Sequence, residues 1–296
     1  HLRTQFLTSM IRTLFEIPIP YTGITIPIYA YGFMLMVGFL LVMYVARNKA
    51  KTEGLNPEDI SNLGLYTIFA GILGGRTFYV VQNFGSYKHN ILDAFKVYEG
   101  GLVFYGGLMA SIAAIVVYSK VKKLPVLKTI DIIAYAFALG VACGRIGCFL
   151  NGCCWGDVCS AALPWAVSFP KSVDVNLMID GSPAFLHHLG QGLVSVSDSH
   201  SLPIHPTQIY SMLGNISIFF IVKAFFNRRR RDGEVTLMFC ALYSVMRFTV
   251  EIFRDDNLPL FDGLTISQNA SIVVIVVTVA LFVIGRIKLK GQTTLS

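Results

Sequence analysis

The segment IDIIAYAFALGVACGRIGCFLNGCCWG, residues 130–156, determines the predicted fold of the chain. Its first part is almost entirely apolar and is long enough to cross the hydrocarbon core of a bilayer as a helix. The apolar run nevertheless contains Arg145 near its end and is followed by a group of cysteines. The segment therefore predicts a membrane helix that carries polar, reactive groups at one end.

The whole chain has the composition of an integral membrane protein. Of its 296 residues, 54% are hydrophobic and only 14% are charged, whereas soluble domains have about 25% charged residues. We expect an all-α protein with seven transmembrane helices in a single membrane-embedded domain, residues 1–296. The predicted spans lie near residues 29–46, 63–83, 101–119, 130–150, 207–226, 234–253 and 268–286.

Lysine and arginine are concentrated in alternate loops, and this distribution predicts the orientation. Basic clusters follow the first, third, fifth and seventh predicted spans, which places those loops and the C-terminus on the cytoplasmic side and the N-terminus outside. The clusters are residues 47–51, 120–128, 223–231 and 286–290. The formal net charge of +7 is therefore explained by membrane topology, and we expect no nucleic-acid partner.

Two further elements are predicted outside the spans. Leu2, Phe6, Met10 and Leu14 recur at helical spacing ahead of Pro18, which indicates an amphipathic helix that lies on the outer surface. Residues 156–206 form a long insertion on the outer side and are predicted to act as a cap. Within it, His187 and His188 are interpreted as surface residues rather than ligands.

Charged residues inside the predicted spans are the main functional signal. A charge at the centre of a membrane helix costs about 2.5–3.5 kcal/mol on insertion scales, and arginine cannot lose its proton. Arg247, Glu251 and Arg254 follow i, i+4, i+7 spacing and share one face, while Arg145 is predicted at the same depth on another helix. Glu251 could simply neutralise Arg247. The alternative is a buried site for an anionic group, most simply a lipid phosphate.

Several other residues are predicted near the same outer depth. Arg76 follows a glycine pair and could either bond to carbonyls of a neighbouring helix or bind a ligand. In EGGLVFYGGL, residues 99–108, Gly106 and Gly107 could let the backbone approach a ligand, beside Tyr105. Tyr31 and Tyr105 could equally be ordinary interfacial tyrosines.

His205 begins the motif HPTQIY, residues 205–210, ahead of a predicted helix. A histidine can act as an acid or base near neutral pH. It can also serve as a hydrogen-bonding residue where a helix starts, and the sequence does not decide between these roles.

Five of the six cysteines lie close together, at 143, 148, 153, 154 and 159. The spacing C-x4-C-x4-CC-x4-C matches no common zinc motif, so we expect no metal site. Cys143 and Cys148 are predicted to be small packing residues on the helix, and Cys159 is predicted to pair with Cys153 or Cys154. The cluster keeps open a rival function, a membrane disulfide or quinone oxidoreductase. A second rival is a lipid or anion transporter.

The segment GRIGCFLNGCCWG, residues 144–156, resembles the signature of the prolipoprotein diacylglyceryl transferase family, which runs approximately G-R-x-G-N-F-x-N-x-E-x-x-G. Cys148 replaces the usual asparagine and Cys153 the usual glutamate. The other segments that agree with the family in order and spacing are IPIYAYGFMLMVGF (26–39), GGR (74–76), GGLVFYGGL (100–108), LPWAVSFP (163–170), HPTQIY (205–210) and RFTVEIFRDDN (247–257). The resemblance covers nearly the whole chain.

The resemblance implies a seven-helix enzyme of the bacterial inner membrane that works at the periplasmic leaflet without a cofactor. It would transfer the diacylglyceryl group of phosphatidylglycerol to the lipobox cysteine of a prolipoprotein and release glycerol-1-phosphate. Arg145 and Arg247 would bind the lipid phosphate, and Glu251 would orient Arg247.

The resemblance also implies which residues line the substrate site. They would be Asn151, Tyr31 and His205. From their position at the same depth, Arg76, Gly106 and Gly107 are further candidate substrate-binding residues. Tyr105 occupies a position at which the family often has a histidine that acts as the base. Either Tyr105 as a phenol donor or His205 as the base could therefore assist the thiol.

Overall fold

A computed structural model describes residues 11–18, 25–88, 91–96, 100–171, 182–254, 259–261 and 263–293. Long helices dominate these residues, as the sequence predicts. The helices are α1 Ala30–Thr52, α2 Pro57–Gln82, α3 Phe84–Tyr87, α4 Phe104–Val121, α5 Val126–Asn151, α6 Pro183–Gly190, α7 Thr207–Phe226, α8 Glu234–Glu251 and α9 Ile266–Thr293, and a short 3-10 helix covers Ile91–Phe95. The strands are β1 Thr13–Pro18, β2 Thr25–Tyr29, β3 Pro259–Phe261 and β4 Leu264–Thr265.

Each of the seven predicted spans coincides with a long helix. Six of these helices, α1, α2, α4, α5, α7 and α9, are long and apolar enough to cross a membrane. The remaining helix, α8, is 18 residues long and contains three charged residues, Glu234, Arg247 and Glu251. It is therefore not counted with the six helices that are apolar enough to span a membrane. A multi-pass membrane protein is therefore confirmed with six spans, and the seventh span stays a prediction.

The predicted surface helix near the N-terminus is wrong where the structure describes it. Residues 11–12 are irregular, and Thr13–Pro18 forms β1, which pairs antiparallel with β2. The physical reason is local composition, because TLFEIP and TIPIY are rich in β-branched and aromatic residues that favour strands. The part of the predicted helix over residues 2–10 lies outside the described residues.

The chain divides into two compact units, and the prediction of one domain over residues 1–296 remains a prediction. The first unit takes in the chain up to Val42, then Phe137–Arg230, and then the chain from Glu234 onward. The second unit takes in Met43–Ala136 and Arg231–Gly233. Helices α1 and α5 each have residues in both units.

In the second unit, glycines allow α2 and α4 to pack backbone against backbone. A Cβ added at Gly74 would lie 2.6 Å from the Gly106 carbonyl oxygen, and one added at Gly107 would lie 2.9 Å from the Gly71 carbonyl oxygen. Ser111 also donates a hydrogen bond across the pair, to the Thr67 carbonyl at 3.2 Å. Gly106 and Gly107 therefore serve close helix packing of the kind found in membrane proteins, and their role as substrate-binding residues stays a prediction.

In the first unit, the described parts of the insertion, residues 156–171 and 182–206, are folded around a small core of their own. Val167, Phe169, Ala184 and Ile204 are buried together, and Phe149 and Trp155 pack against them. His188 is fully buried, and its Nδ1 accepts a hydrogen bond from the Leu202 backbone N–H. The prediction that His188 is a surface residue is therefore wrong, because α6 turns it toward this core.

Candidate functional site

The end of α8 holds a carboxylate between two guanidinium groups. The Glu251 side chain is fully buried and accepts hydrogen bonds from Arg247 Nη1 and, at 2.7 Å, from Thr265 Oγ1. Arg254 Nε lies 3.8 Å from the same carboxylate oxygen that Arg247 contacts. Arg247 Nη2 also donates to Ser267 Oγ at 2.9 Å, at the start of α9. These contacts leave the group of three charged side chains with one net positive charge.

Helix geometry places these three residues together. Arg247 and Glu251 are one turn apart on the same face of α8, and the chain leaves the helix after Glu251 so that Arg254 folds back beside it. Glu251 does neutralise Arg247, as one of the alternatives predicted, but it is shared with a second arginine. Neutralisation alone therefore does not account for the charges in this region.

A helix-terminating turn brings the cysteines of the signature together. The Gly152 N–H donates to the Phe149 carbonyl at 3.1 Å, and the Cys153 N–H donates to the Cys148 carbonyl at 3.1 Å. Gly152 has φ = 66°, so this is a Schellman ending of α5, which requires a residue in the left-handed region. The turn reverses the chain and places Cys153 beside Cys148.

The three sulfur atoms of Cys148, Cys153 and Cys154 lie within 4.8 Å of one another. All six cysteines are free thiols, so the predicted pairing of Cys159 with Cys153 or Cys154 is wrong in this structure. Cys148 is buried on α5, as its prediction as a packing residue requires, and the chain reversal at Gly152 also brings its sulfur into the cluster. Hydrogen bonds from the Cys148 and Cys153 thiols lower the pKa of the Cys154 thiol, and the charges of Arg254 and Arg145 lower it further.

Cys154 adopts a backbone conformation that is unfavourable for a residue with a side chain. Its φ is 61°, in the left-handed region, which costs about 1–3 kcal/mol for residues other than glycine. The surrounding structure holds it there, because Thr207 Oγ1 donates to the Cys154 carbonyl and Gln208 Nε2 donates to the Cys153 carbonyl, both at 2.8 Å. The first turn of α7 therefore fixes the cysteine pair.

The end of the signature is joined directly to the end of α8 and to the start of α7. The Gly156 N–H donates to the His205 carbonyl at 3.1 Å, and the Asp157 N–H donates to the Phe253 carbonyl at 2.8 Å. Gly156 also forms an isolated antiparallel bridge with Arg254. These contacts explain why the cysteine loop and the Glu251 group lie side by side.

Among the described residues of this region, Arg145 is an arginine without a counter-ion. Its side chain is half-buried, and within the described part of the chain it makes neither a hydrogen bond nor an ion pair. Arg145 and Arg254 are both near enough for their charges to act on Cys154. Arg145 on α5 and Arg254 after α8 thus belong to one unit and lie within electrostatic reach of the same thiol.

Two further predicted residues lie beside the cysteines. Tyr31 packs on α5, where a Cβ added at Gly147 would lie 3.1 Å from the tyrosine Cδ2. Its phenol is close enough to interact electrostatically with the cysteine cluster and with Arg145. Asn151 is the last residue of α5, one residue before the turn that carries Cys153, and the Cys153 thiol donates a hydrogen bond to the Cys148 carbonyl at 3.7 Å. That Tyr31 and Asn151 line the substrate site stays a prediction.

His205 takes part in a hydrogen-bonded aromatic group. Its Nδ1 lies 3.1 Å from the hydroxyl of Tyr210, which accepts a hydrogen bond from Trp165 Nε1 at 2.8 Å. The imidazole ring also lies 5.2 Å from the Phe253 ring, measured between centroids. Its Nε2 has no hydrogen-bond partner among the described residues, so it can exchange a proton with a ligand.

Arg76 and Tyr105 belong to the second unit. The guanidinium of Arg76 donates to the carbonyls of Ala94, Gly100, Gly101 and Asp93, at 2.7, 2.6, 3.3 and 2.8 Å. Because four contacts engage most of its five N–H donors, we interpret Arg76 as the residue that holds this loop together, which is the structural alternative of the sequence analysis. Tyr105 is 62% exposed at the start of α4.

Two features of this site do not follow from the sequence patterns above. They are the convergence of Cys148 with Cys153 and Cys154, and the contacts of the Thr265 and Ser267 hydroxyls. The cysteine cluster could have been found from Asn-Gly at 151–152, because a helix that ends at glycine in this way brings its C″ residue back to C3.

Comparison with known proteins identifies the family. The model described as prolipoprotein diacylglyceryl transferase matches residues 19–284. The chain is 36% identical over 266 residues to the phosphatidylglycerol–prolipoprotein diacylglyceryl transferase of Photorhabdus laumondii, covering 87% of this chain and 88% of the relative. It is 35% identical over 266 residues to the protein of the same name from Burkholderia multivorans, covering 86% and 89%. The chain thus belongs to the prolipoprotein diacylglyceryl transferase family.

Proposed function

We propose that this protein transfers the diacylglyceryl group of phosphatidylglycerol to the lipobox cysteine of a prolipoprotein. The relatives are named for this activity. The observation in the structure that supports it most directly is Arg145, a half-buried guanidinium that has no anionic partner among the described residues and lies close to a second group of net positive charge. The relatives' names favour a transferase over the rival oxidoreductase and transporter.

The lipid phosphate is the anion that these cations would hold. Arg145 has no anionic partner among the described residues, and Arg247 and Arg254 share the Glu251 carboxylate. A phosphodiester has one negative charge, and the departing glycerol-1-phosphate gains a second as the carbon–oxygen bond breaks. Fixed guanidinium groups would therefore stabilise the transition state more than the bound lipid, which is the requirement for catalysis.

The reaction is a displacement at carbon. The acceptor thiol loses its proton to a base, and its sulfur forms a bond to the diacylglyceryl carbon. The bond between that carbon and the phosphate oxygen breaks, the electron pair leaves with the oxygen, and a thioether and glycerol-1-phosphate result. We assign the base to His205 rather than to Tyr105, because His205 has an unengaged Nε2 among the described residues and its carbonyl is bonded to Gly156 of the signature.

The same proposal includes the membrane setting. The protein would lie in the bacterial inner membrane with seven spans, its N-terminus outside and its C-terminus in the cytoplasm, so that the site faces the periplasmic leaflet. Basic clusters in alternate loops support this orientation. The insertion at residues 156–206 would then lie on the periplasmic side, where a secreted prolipoprotein presents its lipobox.

An adduct assay tests the function. The purified protein is incubated with phosphatidylglycerol and a lipobox peptide, and the peptide mass is followed for addition of the diacylglyceryl group. We expect Arg145→Ala to reduce the rate about 10²–10³-fold, the effect of removing one charge-stabilising donor. The matched control is Arg228→Ala, which removes an exposed arginine outside the site and should leave the rate unchanged. No adduct from the unaltered protein would contradict the function, and full activity of Arg145→Ala would contradict the phosphate site.

A further inference from the structure

The cysteine cluster is a preorganised set of sulfur ligands. The sulfur atoms of Cys148, Cys153 and Cys154 lie within 4.8 Å of one another. In a tetrahedral zinc site the Zn–S distance is about 2.3 Å, which separates neighbouring sulfurs by about 3.8 Å. The three thiols are therefore already at nearly the separation that one metal ion requires, without rearrangement of the backbone.

The backbone around the cluster is held by hydrogen bonds to backbone carbonyls, which leave the sulfur lone pairs available for a metal ion. The Schellman turn at Gly152 fixes Cys153 beside Cys148. Thr207 and Gln208 each bond to a carbonyl of the cysteine pair and hold Cys154 in its left-handed conformation. A strained conformation that the surroundings maintain is typical of binding sites and catalytic sites. The maintained strain therefore indicates that the Cys154 thiol is held in position for binding or catalysis.

Positive charge lies near the cluster. Arg145 and Arg254 both act on Cys154 with positive charge. Three thiolates and a divalent ion carry one net negative charge, which these arginines would offset. Sulfur ligands select soft ions such as Zn²⁺ or Cu⁺ over Mg²⁺ or Ca²⁺, which prefer oxygen ligands.

We propose that Cys148, Cys153 and Cys154 bind one Zn²⁺-like ion through three thiolates and leave its fourth position open to a thiol. Three protein ligands and one exchangeable ligand are the arrangement of catalytic rather than structural zinc sites. The group contains no fourth histidine, cysteine or carboxylate among the residues that the structure describes.

The open position would take the acceptor cysteine, and this part of the inference rests on the proposed function. A thiol that coordinates a metal is deprotonated. The proton leaves to the base, the coordinated sulfur forms the bond to the diacylglyceryl carbon, and the phosphate oxygen departs with its electron pair, as in the reaction above. The resulting thioether is a weaker ligand than a thiolate, so the product would be released.

Metal binding is tested directly, without a measurement of activity. The full-length protein in detergent is reduced with a phosphine and treated with a chelator to remove any bound metal. It is then titrated with Zn²⁺, and the bound metal is quantified by elemental mass spectrometry. Co²⁺ serves as a second probe because thiolate ligands give it a strong charge-transfer absorption. We expect one bound ion per chain. We expect Cys148→Ser and Cys154→Ser to weaken its binding at least about tenfold.

Two cysteines outside the cluster supply matched controls. Cys159→Ser and Cys240→Ser remove the same chemical group and should leave metal binding unchanged. If the cluster variants do not fold, alkylation of the unaltered protein replaces them. Zn²⁺ should then protect residues 148, 153 and 154, but not Cys159, from iodoacetamide. No bound metal, equal binding by cluster and control variants, or equal alkylation with and without Zn²⁺ would overturn the site.

A second measurement separates the open position from the proposed function. A lipobox peptide with cysteine should change the spectrum of the Co²⁺-loaded protein, and the same peptide with serine in that position should not. An identical spectrum with both peptides would overturn the open position. Adduct formation at full rate by chelator-stripped protein would overturn the metal's role while the transferase function stands. Bound metal without any adduct would leave the site intact and contradict the transferase function instead.

Discussion

Arg254 Nε lies 3.8 Å from the Glu251 carboxylate oxygen that also accepts a hydrogen bond from Arg247. One buried carboxylate therefore positions an arginine from a membrane-embedded helix and another from the turn that follows it. Because Arg254 also forms a backbone bridge with Gly156, the carboxylate links α8 to the cysteine loop. The charges on α8 and the signature after α5 form one connected structure.

Glu251→Gln removes this charge while preserving the shape of the side chain. Arg247 and Arg254 would then lose the buried carboxylate that they share. We expect the free energy of unfolding to fall by about 3–5 kcal/mol, the usual cost of breaking a buried ion pair. We also expect the rate of adduct formation per folded molecule to fall about tenfold or more. Denaturation in detergent and the peptide mass assay measure the two effects.

Glu234→Gln is the matched control for this change. Glu234 is also buried, and it pairs with Arg286 at 2.8 Å at the opposite end of α8. We expect a loss of stability but an unchanged adduct rate per folded molecule. Equal losses of activity in the two variants would mean that Glu251 acts only through stability.

The choice of base is tested by His205→Asn and Tyr105→Phe. Asparagine can replace Nδ1 in the contact with Tyr210 but supplies no group in place of Nε2. We expect His205→Asn to lower the adduct rate about 10²–10⁴-fold, the usual contribution of a general base, and Tyr105→Phe to have little effect. A larger loss for Tyr105→Phe would transfer the assignment to the phenol.

Gly156→Ala should separate the cysteine loop from α8. The added Cβ would lie 2.5 Å from the Phe253 carbonyl oxygen and 2.6 Å from the His205 carbonyl oxygen, and neither backbone atom can move without disturbing the bonds that join these segments. We expect a loss of about 1–3 kcal/mol in stability, measured by thermal unfolding. Gly190→Ala is the control, since a Cβ there meets no atom within 4 Å. Equal stability of the two variants would argue against this close contact.

Arg76→Lys tests whether Arg76 is structural. Lysine has three donors on one nitrogen and cannot reach the four carbonyls that the guanidinium spans. We expect a lower unfolding temperature and an unchanged KM for phosphatidylglycerol. Lys96→Ala, which removes a partly exposed ion pair with Asp93, should change the unfolding temperature little. A raised KM for Arg76→Lys without loss of stability would restore its role as a lipid ligand.

Local sequence features predicted the helices well and the N-terminal segment poorly. Apolar runs of about 20 residues produce helices in a bilayer because every backbone polar group must be paired internally. Residues 11–18 are not in a long apolar run, and β1 forms because β2 offers it a partner that periodicity does not reveal. The same reasoning explains Gly106 and Gly107, whose packing against α2 depends on a helix distant in sequence.

The sequence predicted those contacts of the site that lie within one helix, but not those between segments distant in the chain. Arg247 and Glu251 share a helix face, so their contact follows from helical spacing. Whether Arg145 lies near the Glu251 group depends on how α5, α7 and α8 end and how their terminal loops pair. The hydrogen bonds of Gly156 and Asp157 supply that information, and no local pattern contains it.

The sequence by itself determined that this chain is a membrane protein of the diacylglyceryl transferase family, with arginines where lipid would otherwise lie. Hydropathy and charge placement are sums over neighbouring residues, so they can be evaluated without coordinates. Only the tertiary structure decided that Cys148, Cys153 and Cys154 converge and that the backbone of Arg254 pairs with Gly156. These contacts depend on chain reversals after helices, where a change in one backbone torsion redirects every residue that follows.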